Sequence, residues 1–430
     1  MHYDIVIAGG GAGGLELAAQ LGRKPGSRGP LDGRTPVLLV DHFIVHIWKP
    51  TLHEVAAGTL DIHQEGLLYP VLARRNHFSF TLGDIVGLDP AARLLKLAPI
   101  VDDDGQVIVE AREVSFKYLV LARGSGSNSF NTPGFEHAHI LEQTSDAEAF
   151  RRKLLAAFTR HAFTLRQPLR IAIVGGGATG VELSAELLES HSTFLASVGD
   201  AFDFPFEITI VEAGPRILGG LEEKISTRAA ATLEARGVKL LTSTKVTAIE
   251  AASLTTSAGP VPGDLIVWAA GVKAAAGNAT FGLATNRLNQ FVVDRTLATS
   301  VDRIYALGDN AACPWTDSSL VPARAQAANQ QANYLAARLL ARVKGKTPGT
   351  ADFVYKDLGS LVSLGENRGI GSLMGGLGGA GFLIEGLIAK WMYMSLHLMH
   401  HRAVLGTFQT MVLAAARLLQ RRFSGRLKLH

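Results

Sequence analysis

Two stretches of the chain share one order of apolar and small residues. In the first, Tyr3-Asp4-Ile5-Val6-Ile7-Ala8 reads as a buried strand, Gly9-Gly10-Gly11-Ala12-Gly13-Gly14 as a turn, and residues 15–21 as an apolar helix. In the second, Arg170-Ile171-Ala172-Ile173-Val174, Gly175-Gly176-Gly177-Ala178-Thr179-Gly180 and residues 181–188 repeat that order. An apolar run, a glycine turn and a 3.6-residue apolar period predict the start of a βαβ unit, here twice. Each unit continues into a second apolar strand that ends in an acid, Asp41 after 36–40 and Glu212 after 207–211. Between the units, Ser145-Asp146-Ala147-Glu148 predicts a capping box opening a helix through about residue 163. Residues 323–340 have helical periodicity, with Pro322 just before them.

The glycine spacing carries chemistry. In a strand–turn–helix context the first glycine (Gly9, Gly175) makes the tight turn. The second (Gly11, Gly177) lets the backbone approach a pyrophosphate, and the third (Gly14, Gly180) lets helix and strand pack closely. Ala12, Gly13 and Thr179 fall at helix starts, whose free N–H groups attract phosphate. Asp41 and Glu212 are placed to accept from an adenosine ribose, although both lie beyond the spacing of about 20 residues usual for the motif. Insertions at 23–36 and around 197–206 are expected to take up the excess. A carboxylate at 212 repels a 2′-phosphate, which predicts NADH over NADPH, and Arg216 is the nearby group that would soften this preference.

With 430 residues the chain is long enough for two or three domains. Its hydrophobic fraction is 47% and its mean hydropathy +0.19, high for a purely soluble protein. A net charge of +4 fits either nucleic acid or an anionic membrane, and the position of the charge decides between them. The single cysteine, Cys313, excludes an internal disulfide, an iron–sulfur cluster or a cysteine-built zinc site, so the chain reads as intracellular. Residues 1–8 read as a strand and not as a signal peptide.

Two dinucleotide sites on one chain resemble the two-dinucleotide-binding-domain flavoproteins, whose order is FAD first and NAD(P)H second. Further segments carry the resemblance. Phe116-Lys117-Tyr118-Leu119-Val120-Leu121-Ala122-Arg123-Gly124-Ser125 resembles the first crossover strand, with Arg123 where the family has threonine. Leu265-Ile266-Val267-Trp268-Ala269-Ala270-Gly271 resembles the second crossover, and Arg303-Ile304-Tyr305-Ala306-Leu307-Gly308-Asp309 the second FAD motif, which implies that Asp309 holds the ribityl chain. Residues 42–54 contain no cysteine, so the disulfide-reductase chemistry of that family is unavailable, and Cys313 alone argues against sulfide:quinone chemistry.

The resemblance becomes close to bacterial respiratory type II NADH dehydrogenases in Trp48-Lys49-Pro50-Thr51-Leu52-His53-Glu54-Val55-Ala56-Ala57-Gly58-Thr59-Leu60, in 175–186, in Ala325-Gln326-Ala327-Ala328-Asn329-Gln330-Gln331, in 356–364 and in the closing Arg426-Leu427-Lys428-Leu429-His430. It implies FAD-dependent oxidation of NADH with two-electron reduction of a quinone, without proton pumping. FAD would be bound non-covalently and NADH would exchange. By the same resemblance Lys49 and Thr51 line the flavin, and Ala325 opens a helix toward its pyrimidine edge. Gln326 and Gln330, which share one helix face, would hydrogen-bond quinone carbonyls; from spacing alone an exposed Gln-rich helix is the plainer reading. Glu182 would stand near nicotinamide and quinone; a helix-start acid satisfied by the dipole is its plainer reading. No metal is required.

From about Gly381 apolar residues crowd together, interrupted by Glu385, Lys390, His397, His400, His401 and Arg402. Residues 403–416 are apolar apart from Thr and Gln but too short to span a membrane. Arg417, Arg421, Arg422, Arg426 and Lys428 follow with no acid between them. The pattern predicts helices in a membrane interface, Trp391 and Tyr393 at headgroup depth and cations on anionic lipid, so membrane is favoured over nucleic acid. A homodimer through these helices is the alternative use, and both can coexist.

The expected architecture is α/β: two Rossmann-type domains plus a C-terminal amphipathic helical membrane-attachment region. Its boundaries fall at 1–166 with 286–345 for FAD, 167–285 for NADH and 346–430 for the membrane region. The expected location is peripheral, on the cytoplasmic face of the bacterial inner membrane. A soluble reductase serving a ferredoxin-like protein and a non-catalytic FAD/NADH-binding signalling protein are the alternatives.

Overall fold

The computed structural model describes residues 2–23, 37–365, 368–374 and 381–423. The described helices are α1 (Ala12–Gly22), α2 (Leu52–Ala57), α3 (Ile62–Glu65), α4 (Tyr69–Asn76), α5 (Thr144–Arg160), α6 (Ala178–Val198), α7 (Glu223–Glu234), α8 (Ala325–Val343), α9 (Gly386–Leu405) and α10 (Thr407–Phe423).

The first apolar strand, His2–Ala8, is buried on both faces from Ile5 onward and lies at the centre of a sheet. It pairs in parallel with Val37–Asp41 on one side and with Arg112–Leu121 on the other. Ser79–Leu82 extends the first side in parallel, and Ile304–Ala306 joins Arg112–Leu121 in parallel. Leu94–Leu97 and Ile85–Asp89 add an antiparallel flank. Strand order reverses beside the first glycine turn, where open α/β sheets bind their ligands. The second unit repeats the plan in the order Lys239–Leu241, Phe206–Val211, Leu169–Val174, Leu265–Trp268, all parallel. Both central strands are near-continuous apolar runs because helices cover both faces.

Ile304–Ala306 returns to the first sheet after the second unit is complete, so the chain leaves the first unit and re-enters it. α8 then packs on α1. Gly13 permits this approach: a Cβ there would stand 2.6 Å from Leu307 and 3.1 Å from Ala328.

Among the described residues, 346–365, 368–374 and 381–385 depart from the expected helical tail. Gly359–Ser363, Gly369–Met374 and Gly381–Glu385 form an antiparallel sheet. Val362, Leu364 and Ile370 are buried in the core of the second unit, whereas Phe353 and Tyr355 are buried in that of the first. The segment therefore staples the two units before α9 and α10 begin.

Other local expectations shift. The capping box uses Gln143 and Asp146, not Ser145 and Glu148, because Asp146 reaches back to the Gln143 N–H at 3.0 Å. The length that separates Gly180 from Glu212 lies mostly in the extension of α6 to Val198, not in a loop at 197–206. The stretch 24–36 and the tail 424–430 lie outside the described residues. No described helix is long and apolar enough to cross a membrane.

Candidate functional site

The two glycine turns are near copies. Gly9 and Gly175 have φ of +114° and +110°, a region L side chains rarely adopt. A Cβ on Gly14 or Gly180 would stand 2.0 or 2.1 Å from the carbonyl oxygen of Gly9 or Gly175, so helix and strand touch there. Above Gly11 and Gly177, by contrast, a Cβ would meet open space. Both residues begin helices without a side-chain cap. Backbone N–H groups at two helix starts thus face open space, an arrangement suited to phosphate.

The strand-end acids are also copies. Asp41 accepts from Gly10 N at 2.6 Å and Phe43 N at 2.9 Å. Glu212 accepts from Gly176 N and Gly214 N, both at 2.6 Å. Each carboxylate is fixed beside its turn by one bond per oxygen, and each oxygen keeps a lone pair for a hydroxyl. Arg216 is occupied elsewhere: its guanidinium donates to the carbonyls of Leu218, Gly219 and Leu221.

A cavity of about 590 Å³ runs from Gly9, Gly11 and Asp41 to Lys49, Gly124 and Ser125. Lys49 donates to the carbonyl of Ser125, whose hydroxyl donates to Asp309 at 2.9 Å. Asn310 accepts from Gly124 N, and Gln331 accepts from Gly308 N at 2.6 Å, which fixes the Gly308–Asp309 turn at the mouth of α8. A cleft with an open helix start at one end and the Lys49 cation at the other, with the Asp309 carboxylate reached through Ser125, suits a flavin nucleotide. Arg123 lines this cleft, with its guanidinium tied to neutral groups. It donates to Asn278 at 2.8 Å and to the Ile85 carbonyl at 3.1 Å and lies over the Phe281 ring. Thr51 is buried, with its hydroxyl on the Trp48 carbonyl, while Gly271 has φ +65° at the matching crossover of the second unit.

Glu182, on the first turns of α6, is buried, and burial pushes its carboxyl up to about 8. The Ser363 N–H, donated at 3.0 Å, opposes this rise, and the neighbouring Glu54 and Glu186 add to it. At neutral pH the carboxyl is therefore mostly protonated. His53 Nδ1 lies 3.7 Å away, its ring held neutral by burial, down to about 4. Tyr393 of α9 feels the same three acids. The His53 Nε2 and the Tyr393 hydroxyl are buried without a hydrogen-bond partner among the described residues.

Gln326 and Gln330 share a face of α8 as the spacing predicts, but their amides are engaged by the backbone of 356–359. Gln326 donates to Gly359 O at 3.0 Å and accepts from Leu358 N at 3.2 Å. Gln330 donates to Lys356 O at 2.8 Å and accepts from Lys356 N at 3.0 Å. That clamp feeds directly into the strand whose Ser363 N–H reaches Glu182.

In the tail, Trp391 is exposed, but the Tyr393 hydroxyl is buried near the acids and not placed for a headgroup region. Arg417 pairs with Glu65, so it is not a free lipid-facing cation. His400 is buried against Glu16 and His46, and His46 approaches the Gly10 carbonyl at 3.1 Å. His46, Tyr69, Glu54, Glu186 and Gln331 were not picked out by sequence. Glu182 and Glu186, four apart on one helix face, are the signal that was available.

A family model described as pyridine nucleotide-disulphide oxidoreductase matches residues 3–332. The chain is 38% identical to a type II NADH:quinone oxidoreductase of Haemophilus influenzae over 99% of this chain and 100% of that one. It is 29% identical to demethylphylloquinone reductase NdbB of Synechocystis sp., over 87% of each. A solved structure of NDH2 from Plasmodium falciparum in complex with NADH shares the fold, with a TM-score of 0.81 and 18% identity, covering 100% of this chain and 99% of that one.

Proposed function

The chain belongs to the pyridine nucleotide-disulphide oxidoreductase family and, within it, to the type II NADH:quinone oxidoreductases, and from that premise we propose how its parts divide the work of oxidising NADH and reducing a quinone. The first unit holds FAD, non-covalently, through Gly9, Gly11, the N–H groups of α1, Asp41, Lys49, Gly124 and Asp309. The second unit holds NADH through Gly175, Gly177, the N–H groups of α6 and Glu212. FAD, when bound, supplies the two-electron chemistry between NADH and quinone. Residues 1–166 with 286–345 and residues 167–285 are the corresponding domains.

The observation that carries this assignment is the duplication of turn, open helix start and pinned carboxylate in two sheets. It calls for two different dinucleotides, one resident and one exchanging. The Glu212 carboxylate, with Arg216 committed to loop carbonyls, favours NADH over NADPH.

Quinone reduction consumes two protons, and the chain supplies a group to carry one. Glu182 is protonated near neutral pH, and Glu54 and Glu186 lie beside it. The unpartnered His53 Nε2 and Tyr393 hydroxyl suit the oxygens of a quinone arriving beneath α9. Gln326 and Gln330 act here as positioning residues, holding 356–359 so that Ser363 meets Glu182.

α9 and α10 expose Leu387, Ile388, Trp391, Met399, Phe408, Met411, Val412 and Leu419. An apolar surface of this kind supports peripheral attachment to the cytoplasmic face of the inner membrane, where the quinone resides. It also favours quinone over a soluble protein acceptor. The test is to release the cofactor by denaturation, identify it by chromatography, and assay the native protein with NADH and a short-chain quinone. Released FAD and quinone-dependent NADH oxidation support the assignment. FMN, a flavin that stays covalently attached, or turnover only with a protein acceptor overturns it.

A further inference from the structure

α9 carries His397 and His401 one helical turn apart, and α3 brings Glu65 against them. One ligand atom of each lies within 4.8 Å of the others. Donors of a tetrahedral zinc site with bonds of about 2.0 Å stand about 3.3 Å apart, so small side-chain rotations close the set. None of the three touches the dinucleotide cavity or the Glu182 cluster, and the reaction leaves all three unused.

The rings are already arranged as ligands. His401 Nδ1 lies 2.9 Å from the His397 carbonyl, which can only accept, so the proton is on Nδ1 and the Nε2 lone pair faces the cluster. Metal-bound histidines are commonly oriented by this bond to a backbone carbonyl. The His397 ring is held in stack on Trp48, with centroids 5.0 Å apart and planes at 6°.

A second observation shows that the site attracts cations. The Arg417 guanidinium of α10 pairs with Glu65, and its Nη2 lies 3.4 Å from His401 Nε2. One positive group therefore bridges the carboxylate and the imidazole lone pair that a metal ion would take.

We propose that Glu65, His397 and His401 form a binding site for one divalent transition-metal ion of the zinc class, and that Arg417 is the resident cation the ion displaces. Two imidazoles and a carboxylate suit Zn²⁺, with the fourth position left to water. The bound ion ties α9 to α3 of the first unit. The displaced arginine frees α10, which carries exposed Phe408, Met411 and Val412. Metal occupancy thereby sets how tightly the terminal helix is held to the body.

The holoprotein is titrated with Co²⁺, whose tetrahedral complexes absorb to the red of flavin, and the Co²⁺ is then displaced with Zn²⁺. One equivalent is expected to bind in the wild type, and His397→Gln and His401→Gln are each expected to abolish the tetrahedral spectrum while retaining the flavin. Arg417→Gln, which keeps all three ligands, is expected to tighten binding about tenfold by removing the competitor. A Co²⁺ spectrum unchanged by the histidine substitutions, or weaker binding in Arg417→Gln, overturns the proposal. The arginine variant keeps the test decisive even if a histidine variant fails to fold.

Discussion

Glu182→Gln isolates the cost of keeping a carboxyl inside the protein. In the folded chain this carboxyl moves from an ordinary 4.5 to about 8, chiefly through burial. A folded value above the unfolded one means that stability is fully present below about pH 4.5 and is lost as pH rises through about 8. At about 1.4 kcal/mol per pH unit, the loss approaches about 5 kcal/mol at its ceiling. Glutamine has the same shape, its oxygen can accept the Ser363 N–H, and it does not ionise. The variant should therefore match the wild type near pH 4.5 and exceed its stability by about 3 kcal/mol at neutrality and about 5 kcal/mol near pH 9. Urea unfolding followed by circular dichroism across that range reads the divergence. Parallel stability curves for the two proteins would refute the reasoning, because Glu182 would then ionise alike in both states. The same variant should retain rapid reduction by NADH while slowing the quinone step, since only that step calls for its proton.

Three further outcomes follow from the geometry. Gly180→Ala places a methyl about 2.1 Å from the Gly175 carbonyl oxygen; it should cost about 1–3 kcal/mol in stability and weaken NADH binding with the flavin retained, measured by thermal melts and by stopped-flow reduction. Phe408→Asp combined with Met411→Asp, both on exposed positions of α10, should lower partition onto anionic vesicles at least about tenfold without altering turnover with a water-soluble quinone, as read by co-sedimentation and by NADH oxidation. Gln326→Ala releases Gly359 and Leu358; if the amide positions the 356–359 segment, the apparent pKa of the quinone step should shift, and a Gln326→Glu variant should restore less than the native amide, whereas an unchanged pH profile contradicts the positioning role.

Much of the fold was legible because the two Rossmann units write their geometry locally. The turn glycines, the apolar central strands and the strand-end acids each follow from backbone sterics or from burial on two faces. Tertiary features were less legible. The antiparallel sheet of Gly359–Ser363, Gly369–Met374 and Gly381–Glu385 is short and glycine-rich, and it owes its strands to packing against the core of the second unit and not to a period of its own. Gln326 and Gln330 were correctly placed on one helix face, yet spacing cannot show that a later segment occupies both amides. Tyr393 and Arg417 look like interface residues in an apolar, basic tail. Only the docking of α9 and α10 turns one toward Glu182 and pairs the other with Glu65. The Glu54, Glu182 and Glu186 cluster spans two helices, so only its Glu182–Glu186 half could be read from the chain.

The most direct test of the account is a two-step anaerobic reduction. The purified protein receives one equivalent of NADH while flavin absorbance is followed, and a short-chain quinone is then added. The account predicts rapid bleaching by NADH and rapid recovery with quinone. Bleaching without recovery would contradict quinone as the acceptor, and no bleaching would contradict the assignment of the second unit to NADH.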